Sequence, residues 1–298
     1  MRPALGEDPR GRPADAAGST HDQCNAARQL SARGRLRELV PLERPILDRE
    51  GLALAEGSEA SQRICGVLNG EGSDLVADEL VSAYGEGRAT SIQVDVTDER
   101  AVAEMIRQAV LAFGGLDILI ASAGLATSAP VTETTVDEWE RNHAVLVRGY
   151  FLAARDTFRV LQQQGRGGSI IFVGSKNALV AGANATAYSS AKAASLHLAR
   201  CLAEEGGAHG IRVNTVNPDA VIEGSGIWSS EWKAERASTY GVAEEDLPAF
   251  YRKRTTLDVN VSPEDVAEAI AFLASHRSAK STGNVLNVDG GFSAAYPR

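Results

Sequence analysis

From Thr90 to Gly291 the chain alternates short continuous apolar runs with longer amphipathic stretches. TSIQVDV, LDILIASAG, GSIIFVGS, GIRVNTVNP and GNVLNVDGG are each the length of one strand, and they are apolar on both faces. Between them lie DERAVAEMIRQAVLAFG, VDEWERNHAVLVRGYFLAARDTFRVLQQQG, the stretch from Tyr188 to Glu205, and SPEDVAEAIAFLAS, all with helical periodicity. Local signals mark their ends. Asp98 can accept from the first free N–H groups of its helix, Gly114 can take the left-handed turn that closes it, and Ser262-Pro263 opens the last one. A strand buried on both faces needs helices above and below. Parallel strands joined by crossover helices meet that demand. The expected fold class is therefore α/β, a doubly wound parallel sheet.

Composition sets the frame around this pattern. The 298 residues are 44% hydrophobic, enough for one sizeable core. Residues 1–45 carry no sustained apolar period, and Pro, Gly, Arg and Asp dominate MRPALGEDPRGRPADAAGST. An irregular N-terminal arm is expected there, followed by one domain over residues 46–298. The net charge is −9 and no basic stripe stands out, which argues against nucleic acid or an anionic membrane as partner. Cys24, Cys65 and Cys201 form no C-x-x-C, and the histidines lack metal-ligand spacing, so neither a disulfide framework nor a metal is expected. The longest apolar run is broken by Asp117 and by glycines, and no membrane span is expected. The N-terminus has no apolar signal core and intersperses its arginines with Glu7, Asp8, Asp15 and Asp22. A soluble cytoplasmic protein is the expectation.

Ligands of open parallel sheets bind beyond the carboxyl ends of the strands. Asp95, Gly124, Ser175 and Pro218 stand at such ends. Thirteen residues after Ser175 comes Tyr188, and Lys192 follows at i+4, on the same helical face. A phenol is a poor acid or base at neutral pH, and a cation one turn away favours its phenolate. The pair could then exchange a proton with a carbonyl or carbinol oxygen, with the Ser175 hydroxyl bonded to the same oxygen. Taken alone, Tyr-x-x-x-Lys more often marks a solvated helix face.

The surroundings change that balance. DVTD (95–98), LDILIASAG (116–124), Ser175 with Tyr188-Ser-Ser-Ala-Lys192, IRVNTVNP (211–218) and TGNVLNVDGG (282–291) together resemble the short-chain dehydrogenase/reductase family, in its order and spacing. NPDAVIEGSGIW, WKAERASTYG, YRKRT and PEDVAEAIAFLAS are similar to the dehydrogenase half of bifunctional rhamnulose-phosphate aldolase/alcohol dehydrogenases. Sorbitol-6-phosphate dehydrogenase-like members are a looser match. The resemblance implies a Rossmann-like fold, an NAD(P) cofactor with NAD ahead of NADP, and a role in carbohydrate metabolism such as rhamnose catabolism. It also implies a homodimer or homotetramer. Ser175 would anchor the substrate oxygen, Tyr188 would be the general acid/base, and Lys192 would tune it and touch the nicotinamide ribose. Asp95 and Val96 would flank the adenine, the Ala123-Gly124 turn would lie along the cofactor, and Pro218, Asp219 and Val221 would line the nicotinamide side.

Three features depart from that family's pattern. The Gly-rich turn that lets a pyrophosphate approach a helix N-terminus should fall near residues 40–47, which read VPLERPIL without a glycine. A literal G-x-x-x-G-x-G occurs at Gly66, Gly70 and Gly72, but Glu71 and Asp74 would repel a pyrophosphate there. Its spacing to Asp95 suits the turn after the second strand better than the first, which would put Val67 where the family often has its acidic ribose anchor. The family's helical Asn, which helps hold a relay water near the lysine, is replaced by Leu146, with Asn142 one turn earlier. The N-A-G after the fourth strand reads Ser122-Ala123-Gly124.

Residues 222–256 sit where this fold carries a substrate lid and are rich in aromatic and cationic residues. The expected substrate contacts are Ser175, Asn177, Trp228 and Arg236. The function that follows is transfer of a hydride to or from a small hydroxyaldehyde, polyol or sugar phosphate. A catalytically impaired relative with a structural role is the alternative.

Overall fold

The computed structural model describes residues 63–67, 74, 77, 78, 80–82, 85–222, 225, 227, 228 and 230–296. Strand β1 (Arg63–Val67) pairs in parallel with β2 (Ala89–Gln93), with Gly66 opposite Ile92. A second parallel sheet runs in the order β3 (Ile118–Ala121), β4 (Gly168–Val173), β5 (Ile211–Pro218), β6 (Val285–Val288). All four strands are parallel, with Phe172 beside Ala121 on one side and Thr215 on the other. The doubly wound α/β fold is thus present, divided among the described residues into a two-stranded and a four-stranded sheet. The expected first strand and phosphate turn near 40–47, and the irregular arm, lie outside the described residues. Gly66 belongs to a strand rather than to the loop, so the literal glycine motif does not form one continuous turn; Gly70 and Gly72 lie outside the described residues.

Each helix begins and ends for a local reason. Helix α1 (Glu99–Phe113) is capped by the Asp98 carboxylate, which accepts from the N–H groups of Arg100 and Ala101, and closes at Gly114 with φ 79°. An L side chain is strained at that φ, which is why glycine ends the helix. The last long helix, α7 (Pro263–Ala274), opens on a capping box between Ser262 and Asp265. Between α1 and α7 lie α2 (Val136–His143), α3 (Tyr150–Gln164), α4 (Thr186–Gly206), α5 (Ser230–Tyr240) and α6 (Leu247–Arg252).

The stretch from Val136 to Gln164 reads as one long helix, but α2 and α3 are joined by a π-helical segment, Ala144–Gly149. A wider turn of this kind inserts a residue into the helical ladder. Gly149 within it meets the β2–α1 connection: a Cβ there would sit 3.1 Å from the Val96 carbonyl oxygen.

The alternation of β4 explains the layers. Ile170 and Phe172 face Tyr150, Phe158, Leu161, Ala199 and Ala203, from α3 and α4. Ile171 faces the other way, toward Val216, Val266, Ile270 and Leu273. The central strand is therefore covered on both faces by helices, which is the reason its sequence is apolar throughout.

Candidate active site

The site lies beyond the carboxyl ends of β4 and β5. The chain leaves β4 through Gly174 into Ser175, whose backbone is extended. A Cβ on Gly174 would overlap Asn217 Oδ1, so only glycine fits. That same oxygen accepts from the Ser175 N–H at 3.1 Å, and the Ser175 hydroxyl accepts from the Asn177 N–H at 3.1 Å. Asn217 on β5 thus fixes the start of the serine loop. Sequence reasoning did not single out Asn217 or Gly174.

Tyr188 and Lys192 lie on one buried face of α4, as their spacing requires. Lys192 is 2% exposed and donates to the Val173 carbonyl at 2.8 Å. Its ammonium lies 5.4 Å from the centre of the Tyr150 ring and 6.0 Å from that of Tyr188. Burial lowers the Lys192 pKa from its ordinary value to about 7. Burial also pushes the Tyr188 phenol up; the Asp219 charge adds to this, and a hydrogen bond with Ser175 opposes it. This differs from the simple expectation that the lysine holds the phenol down. Both groups are out of water, and desolvation disfavours each charged form.

One open cleft collects most of the anticipated residues. Ser175, Asn177, Tyr188 and Lys192 line it together with Pro218, Asp219 and Val221. Trp228 and Arg236 contribute the lid side. Arg236 is 3% exposed and donates to the Ala183 carbonyl and the Tyr240 hydroxyl, so its guanidinium also ties the lid to the body of the protein. The Asn177 amide donates to Ser189 Oγ at 3.3 Å.

The anticipated adenine-side residues stand apart from this cleft. Asp95 is exposed after β2, and its Oδ1 accepts from the N–H and hydroxyl of Thr97, both at 2.8 Å. Val96 packs into the cluster formed by Val94, Val102, Leu152 and Ala153. Ala123 is half-buried and Gly124 buried in the turn after β3, where Ser122 reaches the cleft.

Leu146 is fully buried and packs with Tyr188 and Ala191. Asn142, one turn earlier, donates its amide to Thr127 Oγ1 and to the Glu138 carbonyl, while its Oδ1 is buried without a hydrogen-bond partner among the described residues. Lys176, which the sequence reading passed over in this role, also faces the cleft. Among the described residues there is no cluster of three or more His, Cys, Asp or Glu able to hold a metal, and no helix long and apolar enough to cross a membrane.

A parallel α/β sheet with a Ser, Tyr and Lys gathered at its carboxyl edge defines a class, and the chain belongs to it. It is a member of the short-chain dehydrogenase/reductase family: the family model described as Enoyl-(Acyl carrier protein) reductase matches residues 59–293. The chain is 53% identical, over 81% of its length, to the uncharacterized oxidoreductase YuxG of Bacillus subtilis, and spans 35% of that protein. It is 36% identical to the cis-4-hydroxycyclohexanecarboxylate dehydrogenase of Sinomonas cyclohexanicum, over 82% of this chain and 93% of that one. Among solved structures, the sorbitol-6-phosphate 2-dehydrogenase SrlD of Erwinia amylovora superposes with a TM-score of 0.72 at 30% identity, covering 77% of this chain and 89% of that one.

Proposed function

We propose that this chain is an NAD(P)-dependent oxidoreductase acting on a small hydroxyaldehyde, polyol or sugar phosphate, with Tyr188 as its acid/base. The observation that carries this reading is the convergence of Ser175, Tyr188 and Lys192 on one cleft at the strand ends. The cleft fits a nicotinamide nucleotide. Gly174 and Pro218 line it, and Lys192 spends one N–H donor on Val173, leaving at least one for a ribose hydroxyl. The bound nicotinamide would supply or accept the hydride.

The chain's own residues handle the oxygen. Ser175 donates its hydroxyl to the substrate oxygen and orients it. Tyr188, whose neutral phenol burial favours, gives its proton to that oxygen as a carbonyl is reduced and is left as the phenolate; oxidation of a carbinol runs from that phenolate, which takes the carbinol proton. Lys192 stabilises the phenolate at the moment it forms. Trp228 and Trp232 give the lid side of the cleft an apolar wall facing the bound substrate.

Asp95, Val96 and the Ala123-Gly124 turn are the proposed adenine and ribose side, and Pro218, Asp219 and Val221 the nicotinamide side. NAD is favoured over NADP. A homodimer or homotetramer through α4 and the helix bearing Trp139 belongs to the same reading. So does kinship with the dehydrogenase half of bifunctional rhamnulose-phosphate aldolase/alcohol dehydrogenases.

Titration of the purified protein with NADH and NADPH, followed by nicotinamide fluorescence, tests the reading. Micromolar binding of either is the expected result, and absence of binding up to millimolar overturns it. A second reading, a catalytically impaired member with a structural role, is favoured by one observation: a fully buried leucine packs on Tyr188 where the family's asparagine stands. Cofactor binding with turnover that disappears in Tyr188→Phe rejects that second reading.

A further inference from the structure

Lys176 and Asp219 face the same cleft as Ser175 and Tyr188. Lys176 directly follows Ser175, and Asp219 directly follows the last residue of β5. Ala220, next in the chain, has φ 43°, a conformation costly for any residue with a Cβ. Strain of this kind persists where the surrounding structure holds it, and functional sites are where it gathers.

The Asp219 carboxylate is 4% exposed and poorly satisfied. Lys176 Nζ lies 3.4 Å from Oδ1, and Arg254 Nη2 lies 3.7 Å from Oδ2. Oδ2 is buried with no hydrogen-bond partner among the described residues. A structural ammonium–carboxylate pair closes to roughly 2.7–2.9 Å. This one stands open, and a carboxylate oxygen left without a hydrogen bond in a buried site is costly. Lys176 is held beside it by the ring of Phe292, 4.6 Å from its ammonium.

A hydroxyl group completes both partners at once. It donates to the Asp219 carboxylate, on the Oδ1 side that Lys176 flanks, and accepts from Lys176 Nζ. A phosphate or carboxylate would have to displace the Asp219 carboxylate, which both neighbouring cations already face, and an alkyl group would offer neither Lys176 nor Asp219 a hydrogen bond. We propose that Lys176 and Asp219 form a hydroxyl-reading subsite beside the reacting oxygen, so that the substrate is an α-hydroxy carbonyl compound or the corresponding polyol. The inference rests on the oxidoreductase reading for what the substrate undergoes, but its binding test does not require turnover. Any phosphate on the substrate lies elsewhere than at this pair.

Hydroxyacetone and butanone differ by a hydroxyl in place of a methyl and are the probes. Saturation-transfer NMR titrations with the full chain and no added cofactor measure binding without turnover, since neither probe can be oxidised or reduced without a nicotinamide. Hydroxyacetone is expected to bind at least ~10-fold more tightly than butanone. In Lys176→Met and Asp219→Asn the preference falls to about two-fold or less, because the charge-assisted bonds are lost. Equal binding of the two probes by the wild-type chain overturns the subsite, whether or not either variant folds. So does a preference that survives intact in both variants. Reduction of hydroxyacetone by NADH or NADPH, assayed separately, reports on the oxidoreductase reading: discrimination without turnover leaves the subsite standing, and turnover without discrimination removes it.

Discussion

Tyr150 and Lys192 donate to one acceptor. The phenol reaches the Val173 carbonyl at 2.9 Å and the ammonium reaches it at 2.8 Å. The Tyr150 ring, 1% exposed, also presents its face to that ammonium. The last carbonyl of β4 thereby holds the lysine from one side and an aromatic wall holds it from the other. Tyr150→Phe keeps the wall and removes the shared bond. It is expected to cost about 1 kcal/mol of stability. It should leave kcat and KM within about two-fold of wild type, since the Lys192–Val173 bond and the ring face both remain. Steady-state kinetics together with thermal unfolding check both parts.

Lys192 makes stability depend on pH in a definite direction. Its folded pKa, about 7, lies below the ordinary 10.5, so between these values the unfolded chain binds more protons than the folded one. Stability from this group therefore rises as pH increases from about 7 to about 10.5. Below that window the full cost of burying a cation is present. Lys192→Met should then be more stable than wild type at pH 6, by on the order of 2–5 kcal/mol, with the gap closing toward pH 10. Urea unfolding at pH 6 and pH 9 measures the gap. A gap that widens with pH would contradict the burial argument.

Gly174 is required by a side chain on the neighbouring strand. Gly174→Ala forces its methyl group onto Asn217 Oδ1, the atom that holds the Ser175 N–H. The expected cost is about 1–3 kcal/mol. Activity should fall further than stability, because Ser175 moves with the loop. Comparing kcat/KM with the unfolding midpoint of the same preparation separates the two effects.

Leu146 offers a direct test of the impaired-enzyme reading. Leu146→Asn places an amide in a fully buried contact with Tyr188 and Ala191. An amide there without partners costs roughly 1–3 kcal/mol, and no gain in kcat is expected under the oxidoreductase reading. A rise in kcat of ten-fold or more would show that the leucine suppresses the proton path.

The Asp98 cap, the Gly114 stop and the Ser262 capping box were all legible, since each depends on atoms within one turn of chain. The shared face of Tyr188 and Lys192 was legible for the same reason. The π segment around Leu146 was not, because a widened turn saves no local pattern and reflects packing of Gly149 on Val96. RICGVL reads as a strand ahead of the glycines, and β1 does take Gly66 into the sheet.

By itself the sequence determined the period of each element, the order of strands and helices, and the presence of a Ser, Tyr and Lys at spacings that one sheet edge can gather. Only the tertiary structure decided what those groups are. Parallel register sets β4 beside β5, and this brings Asn217 to Ser175 and Asp219 to Lys176. Burial raises the Tyr188 pKa and lowers that of Lys192 from their ordinary values. Helix and strand periods are local properties of the backbone, whereas desolvation and cross-strand contacts depend on which distant residues exclude the water.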